Sequence, residues 1–369
     1  MNRKTAYKGW ERPYPLLRSE ATCTTLSGLS CILLSISGIS LMALLPALSC
    51  SRHPFDISPE WDDSPPPVVE QHSIAIDTKG TDETSISTLD VLIFSNDSLK
   101  KFETYQRFNK IDKKGVIIAS TSGEKMLFAC ANSKIAPEKW MKVCTEDGLE
   151  EFHLELEKEM RNEPMLSGAC KLHAGQDHST TIELERLTCE VVLQSLSCDF
   201  TGKPYEGERL MNAKAYLINV NTQSPVFGKT DSAPTGMINV GTLNPDDLSR
   251  FSEPDLVMQK LPVPIGIERI QTGIRLVCCP NTGEEEGPGS PFTRLVIEGD
   301  IQGETYYWAV TVNRGRNGHG IERADRYIYD VLIKRKGSRD PDSPASIEDI
   351  NLLYEDTAWE EKNPYSVSF

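Results

Sequence analysis

Hydrophobic positions in this chain recur mostly every second residue, in short runs. TSISTLDVLIFS (84–95) sets Leu89, Val91 and Ile93 on one phase and Asp90, Leu92 and Phe94 on the other. A period of two belongs to a β-strand, whose side chains point alternately to opposite faces. KGVIIAS and EKMLFACAN repeat the signature as a pair joined by a Ser-Gly turn at 122–123. Further along, NAKAYLINV, TGIRLVCC, FTRLVIEGDI, ETYYWAVTV and RYIYDVLIKR all read as strands, and Gln302-Gly303 marks a tight hairpin between two of them. STTIELERLTCEVVLQSL (179–196) predicts one long strand. Its apolar phase passes from Ile182 and Leu184 to Leu187, Cys189, Val191 and Leu193, and the slip near Arg186 predicts a β-bulge. Two segments fit a helical period instead. SLKKFETYQRF aligns Leu99, Phe102 and Tyr105; DGLEEFHLELEKEM aligns Leu149, Phe152, Leu156 and Met160, with Asp147 placed as a cap.

Short strands, frequent turns and little sustained helical pattern predict a mainly β protein of two β-sandwich domains in tandem, with short helices in the connections. The first sandwich is expected over 68–205, ending at the polar stretch TGKPYEGE, and the second over 206–345. A tail, 346–369, forms strands of its own: Ile350, Leu352 and Tyr354 alternate, then Tyr365, Val367 and Phe369. A strand ending in Phe is costly to leave in water and seeks a sheet edge. It finds one either in its own sheet or in that of a neighbouring subunit, where strand addition joins main-chain hydrogen bonds to side-chain pockets.

The pattern differs at the start of the chain. Arg3, Lys4, Lys8, Arg12 and Arg18 precede a stretch without charge between Glu20 and Arg52, whose centre is CILLSISGISLMALLPALS. A basic start, an apolar core and small residues before a cut describe a secretory signal over 1–49; an apolar run of this length also fits a membrane-spanning helix. Ala47-Leu48-Ser49-Cys50 resembles a bacterial lipobox, in which Cys50 is acylated and becomes the first residue. Residues 50–67, polar and ending in three prolines, read as a stiffened tether.

Of 39 basic and 54 acidic residues, five and two lie in 1–49, leaving 34 against 52 in the exported part. An acidic surface of this kind repels phosphate backbones, so nucleic acid is excluded as a partner. Seven cysteines follow Cys50, an odd number with no Cys-x-x-Cys spacing, which disfavours a zinc ribbon or redox dithiol. Cys130, Cys189 and Cys278 fall inside apolar runs and read as small core residues; a Cys189–Cys198 bridge stays open. His173, Asp177 and His178 lie in a hairpin loop rather than in a metal-ligand pattern. NRGRNGHG (313–320) lacks the Gly-Lys-Ser/Thr ending of a phosphate loop, and no Gly-x-Ser-x-Gly elbow occurs. No cofactor and no catalytic constellation are expected.

Three stretches together resemble the fimbrillin family of type V pili. They are LDVLIFS…LKKFETY…EKMLFACAN, then PMLSG (164–168) with IELERLTCEVVL, and FTRLVIEGDIQGETYYWAVTV…GHGIERADRYIYDVLIKRKGSRDPDSP. The last is the most specific and is similar to minor and anchor-type subunits. The resemblance spans roughly residues 84–345 and implies two transthyretin-like β-sandwiches, export as a lipoprotein to the outer membrane, and assembly with other fimbrial subunits at the cell surface. It also implies trimming by a trypsin-like protease that removes a first strand and opens a groove for a neighbour's donor strand. On this sequence the first strand is VVEQHSIAIDTKG (68–80), the cut falls at Lys79-Gly80, and the donor strand is Tyr365, Val367 and Phe369. Lys79 is the only Lys or Arg between Arg52 and Leu89. The tail favours a polymerising subunit, while GIERADRYIYDV favours an anchor. A surface adhesin at a pilus tip, with Tyr306, Tyr307 and Trp308 stacking on sugars, is the alternative.

Overall fold

Alternating apolar residues become strands that pair into sheets, and the sheets stack so that the apolar phases meet. The computed structural model describes residues 68–78, 85–109, 111, 115–177, 179–229, 234, 236–314 and 320–346, and the backbone of 350–358 and 367–368. The first half holds β1 (Val69–Thr78), β2 (Leu89–Ser95), β3 (Phe102–Phe108), β4 (Val116–Thr121), β5 (Gly123–Ala131), β6 (His153–Glu155), β7 (Leu166–Ala174) and β8 (Ser179–Arg186). Seven of these run in the order β3-β2-β5-β7-β8-β1-β4. The β7–β8 link is confined to Leu166↔Arg186 and Ser167↔Glu185, where the order folds over into two layers, β3-β2-β5-β7 and β8-β1-β4. Between the layers lie Ile74, Val91, Ile93, Ile118, Leu127, Leu172, Ile182 and Leu184, all buried.

The second half holds β9 (Cys189–Cys198), β10 (Met211–Ile218), β11 (Val220–Asn221), β12 (Gln223–Pro225), β13 (Met237–Ile238), β14 (Met258–Lys260), β15 (Ile270–Cys278), β16 (Arg294–Ile301), β17 (Glu304–Thr311), β18 (Asp325–Ile333), β19 (Ile350–Ala358) and β20 (Val367–Ser368). Its layers are β14-β10-β16-β17 and β15-β9-β18-β19-β20. Trp308, Tyr327, Tyr329, Leu276 and Ile297 fill the space between them. The β16–β17 hairpin turns on Gln302 (φ 56°) and Gly303 (φ 80°), and two positive φ values in succession make the primed turn that matches strand twist.

The mainly β sandwich architecture is as expected. Several local readings are corrected. SLKKFETYQRF is not a helix: from Phe102 it is strand β3, whose residues pair with β2, as in Leu92↔Tyr105, and whose two faces are half-buried. DGLEEFHLELEKEM is a 3-10 turn (Glu146–Glu151), then β6, then a second 3-10 turn (Leu156–Lys158). Its buried leucines are 149, 154 and 156, which a single helical face does not collect, and β12 offers β6 a ladder. β4 and β5 are joined at Ser122 but do not pair. The chain crosses there between layers, β4 joining β1 and β5 joining β2 and β7.

The phase slip near Arg186 is a crossover rather than a bulge. Residues 179–186 pair with β1, whereas 189–198 pair with β15 and β18. Strand pairing therefore changes partners at Leu187-Thr188. The outer faces of β2 and β5 are also covered, by Trp140, Leu149, Leu154 and Phe227. Burial on both faces explains why LDVLIF and MLFACA are apolar almost throughout.

Candidate assembly site

β1 is an interior strand. It pairs antiparallel with β4 over Val69–Ile74 and parallel with β8 over Ser73–Thr78. Its even-numbered residues face inward: His72 and Ile74 are 2% and 1% exposed, and Glu70, Ile76 and Thr78 are half-buried. Val69, Gln71, Ala75 and Asp77 face out. His72 Nδ1 donates to the Asp177 carbonyl at 2.8 Å, tying β1 to the β7–β8 loop, while its Nε2 is buried 3.9 Å from the Glu70 carboxylate. Gly115 lets β4 approach. Its φ is +92°, and a Cβ there would sit 1.9 Å from the Ile74 carbonyl oxygen.

The far edge of β4 is closed from inside. Gln106 of β3 donates from Nε2 to the Ala119 carbonyl (2.9 Å) and accepts from the Ala119 amide at 3.3 Å. Beside it Lys125 pairs with Glu103, and Thr121 donates to Glu103. An edge satisfied by its own side chains is a poor template for another chain. The outer, covered face of β2 and β3 carries a buried carboxylate, Asp90, whose Oδ1 accepts from Tyr105 at 2.5 Å and lies 3.7 Å from Arg107. Burial raises its pKa, partly offset by Tyr105 and Arg107. Glu159, accepting the Met165 amide at 2.8 Å, is raised to about 7 by burial.

In the second half the two sheet edges differ. The edge of β17 is clasped by GSRDPDSP. Tyr307 and Ser338 exchange backbone hydrogen bonds of 2.9 Å, and the Ala345 amide donates to Ala309 at 2.8 Å. Arg339 lies over the Tyr306 ring at 4.1 Å and reaches Glu304, while Asp342 holds buried Arg294. The most specific stretch of the sequence is therefore an edge cover. Upstream in it, Arg323 donates to the Pro225 carbonyl at 2.5 Å and faces Glu185 at 3.8 Å, fastening β18 to the first half. A cleft of about 300 Å³ lies beside it, between Glu183, Glu185 and Phe227, where β7 and β8 part.

The opposite edge is made by the tail. β19 pairs with β18 at nine consecutive positions, Asp325↔Ala358 to Ile333↔Ile350, and β20 pairs with β19 at two, Leu353↔Ser368 and Tyr354↔Val367. Val367 thus stands against this chain's own sheet. Cys50, Lys79, Gly80, Tyr365 and Phe369 lie outside the described residues.

Other expected chemistry is accounted for by packing. Trp308 is fully buried and donates to the Arg335 carbonyl at 3.0 Å; Tyr306 is buried beneath Arg339. Tyr306 and Trp308 therefore offer no free stacking face, while Tyr307 is half-buried beside Tyr216 and Val296. Asp177 Oδ2 accepts the His173 amide at 2.9 Å, which closes the loop, and among the described residues no group of three His, Cys, Asp or Glu is arranged to hold a metal. The seven cysteines among the described residues are all free. Cys189 and Cys198 end the same strand, far beyond disulfide reach, and Cys189 instead faces Cys278 across the ladder. His72, Gln106 and Gly115 escaped sequence reading. Each acts through a partner distant in sequence, and only the positive-φ glycine carries a local signal.

No protein-family model matches the chain, and no curated protein matches it. Solved structures do. A Parabacteroides distasonis protein provisionally assigned to cell adhesion is 15% identical, covers 79% of this chain and 100% of its own, and has a TM-score of 0.58. A Bacteroides eggerthii protein with the same assignment gives 14%, 79%, 96% and 0.57. A fimbrillin of Porphyromonas gingivalis gives 15%, 78%, 96% and 0.55. The chain has the fold of the fimbrillins, as its sequence resemblance implied.

Proposed function

We propose that this chain is a structural subunit of a surface fimbrium, joined to its neighbours by strand exchange. The observation that carries the reading is the place of β1: an interior strand, paired on both sides, followed directly by Lys79. A cut there frees one strand and leaves β4 and β8 with unpaired backbone and Ile118, Ile182 and Leu184 uncovered. An open groove of this kind is a demand for another strand. The neighbour's tail, with Tyr365, Val367 and Phe369 on one phase, is the proposed donor. The fold likeness to a fimbrillin supports the reading. Export as a lipoprotein through Cys50 would hold the subunit at the outer membrane, where a trypsin-like protease makes the cut.

The test is limited trypsin digestion of the full chain, followed by N-terminal sequencing and sizing. A clip at Lys79-Gly80 with ladder-forming oligomers is the expected result; a clipped protein that stays monomeric overturns it. Labelled palmitate, with Cys50→Ala as control, tests the anchor. The second reading, an adhesin at a pilus tip, draws on the cell-adhesion assignments of similar structures. Binding to a glycan array by an uncut monomer would favour it.

A further inference from the structure

We propose that the groove vacated by β1 takes the tail of a second copy of this chain in one register: Tyr365 in place of His72, Val367 in place of Ile74, Phe369 in place of Ile76. The proposal rests on the strand-exchange reading above and adds to it the residues that meet.

Three observations select the register. The first is parity. The inward positions of β1 are the even ones, Glu70 to Thr78, and the apolar phase of the tail is Tyr365, Val367 and Phe369. A one-residue slip would turn all three rings and branches to water and bury Ser366 and Ser368. Two-residue slips remain.

The second is Pro364, which has no amide hydrogen. Ala119 gives both backbone groups to Gln106, so they point away from β1. Gln71, the register partner of Ala119, is therefore in a non-hydrogen-bonded pair, and its amide also points away from β4. β8 begins pairing only at Ser73. A proline at position 71 consequently breaks no ladder bond. At position 73 the same geometry turns the amide toward β8, and a proline there does break one. This excludes Tyr365 at Ile74.

The third is the Asp177 carbonyl, which His72 satisfies at 2.8 Å. Tyr365 is the one inward residue of the tail with a polar hydrogen to offer. The departing Glu70 carboxylate, which stands 3.6 Å from the Cβ direction of Gly175, leaves room for its ring. A slip by two the other way would set Val367 on that carbonyl and leave the Ile76 site empty beside Ile182. A reversed strand would set Phe369 there. Either leaves a buried acceptor without a donor.

The test uses full chain in detergent, in a Cys144→Ser background, with Val367→Cys in one preparation and either Val116→Cys or Ile118→Cys in the other. Ile74 is the partner of Val116, and His72 of Ile118. After trypsin, mixing and mild oxidation, a disulfide-linked heterodimer is expected with Val116→Cys and at least tenfold less of it with Ile118→Cys. The reverse preference, or oligomers linked by neither pair, overturns the register. No oligomers at all after a complete cut overturns strand exchange itself. As a readout free of introduced thiols, Tyr365→Phe is expected to slow oligomer growth severalfold while Ser366→Ala leaves it unchanged; equal rates for the two would overturn the role given to Asp177.

Discussion

Two strands flank the described body of this protein, and they are held very differently. β1 lies between β4 and β8, sends Ile74 into the sandwich at 1% exposure, and is pinned to a loop through His72. β20 is a cover strand: it ends its sheet and meets β19 at only two positions, Leu353↔Ser368 and Tyr354↔Val367. Interior pairing makes a strand part of the core, so its loss would uncover apolar surface and unpaired backbone. Peripheral pairing makes a strand available. The same chain thus carries a site that loses heavily when emptied and a segment that loses little when it leaves.

The sharpest way to break this contrast is to put a charge in each strand. Ile74→Asp buries a carboxylate with no partner and opens a cavity, and is expected to cost about 4 kcal/mol. Val367→Asp, in a two-position pairing, is expected to stay within about 0.5 kcal/mol. Urea unfolding of the uncut chain measures both. Equal losses would mean that the tail is as integral as β1.

Gly115→Ala comes next. It leaves β1 untouched and denies it a neighbour, because the new Cβ meets the Ile74 carbonyl oxygen and φ is +92°. A loss of about 3 kcal/mol is expected from strain and displaced pairing. After removal of β1 the backbone clash is gone, so the same substitution should then cost about 1 kcal/mol, the part due to φ alone. Melting of cut and uncut protein separates the two values.

Glu159 serves as a control that ignores both strands. Burial raises its pKa to about 7, above the unfolded value of 4.5. The folded state therefore holds a proton that the unfolded state releases between those values. The stabilisation is complete below pH 4.5 and is lost as pH rises through 7. Wild type should lose about 2 kcal/mol between pH 5 and pH 8 relative to Glu159→Gln, equally in cut and uncut protein. A difference between the two would tie Glu159 to β1.

Much of the architecture was legible because a period of two survives any arrangement of the strands. LDVLIFS, FTRLVIEGDI and ETYYWAVTV state their secondary structure outright. What misled was coincidence between periods. Phe102 and Tyr105 are both half-buried in β3, and Leu99 lies in the exposed turn before it, so the helical stripe was a coincidence of spacing. At 179–196 the slip in phase was real, but its cause, a step from one half to the other, depends on which strands lie alongside. Of the proposed site, lipidation at Cys50 and a cut at Lys79 are expectations from local sequence alone, and both residues lie outside the described ones. The polar pocket that β1 fills was not legible, since His72 and Asp177 are 105 residues apart.

The smallest expected effect concerns where a strand can enter. β4 has two sides: one is occupied by β1, and the other is capped at Ala119 by the Gln106 amide. Gln106→Leu removes both side-chain bonds while keeping most of the volume. Because Gln106 is half-buried and water reaches this edge, the expected cost is about 1 kcal/mol. The more telling readout is association. If Gln106 acts as an edge guard, the variant should self-associate at high concentration without any cut at Lys79, through the freed side of β4. Its cut form should then give two kinds of junction, one blocked by restoring β1 as a peptide and one not. An uncut variant that remains monomeric at every concentration would show that the β4 edge is protected by something other than Gln106. The vacated β1 position would then be the sole entry on this layer even without its guard.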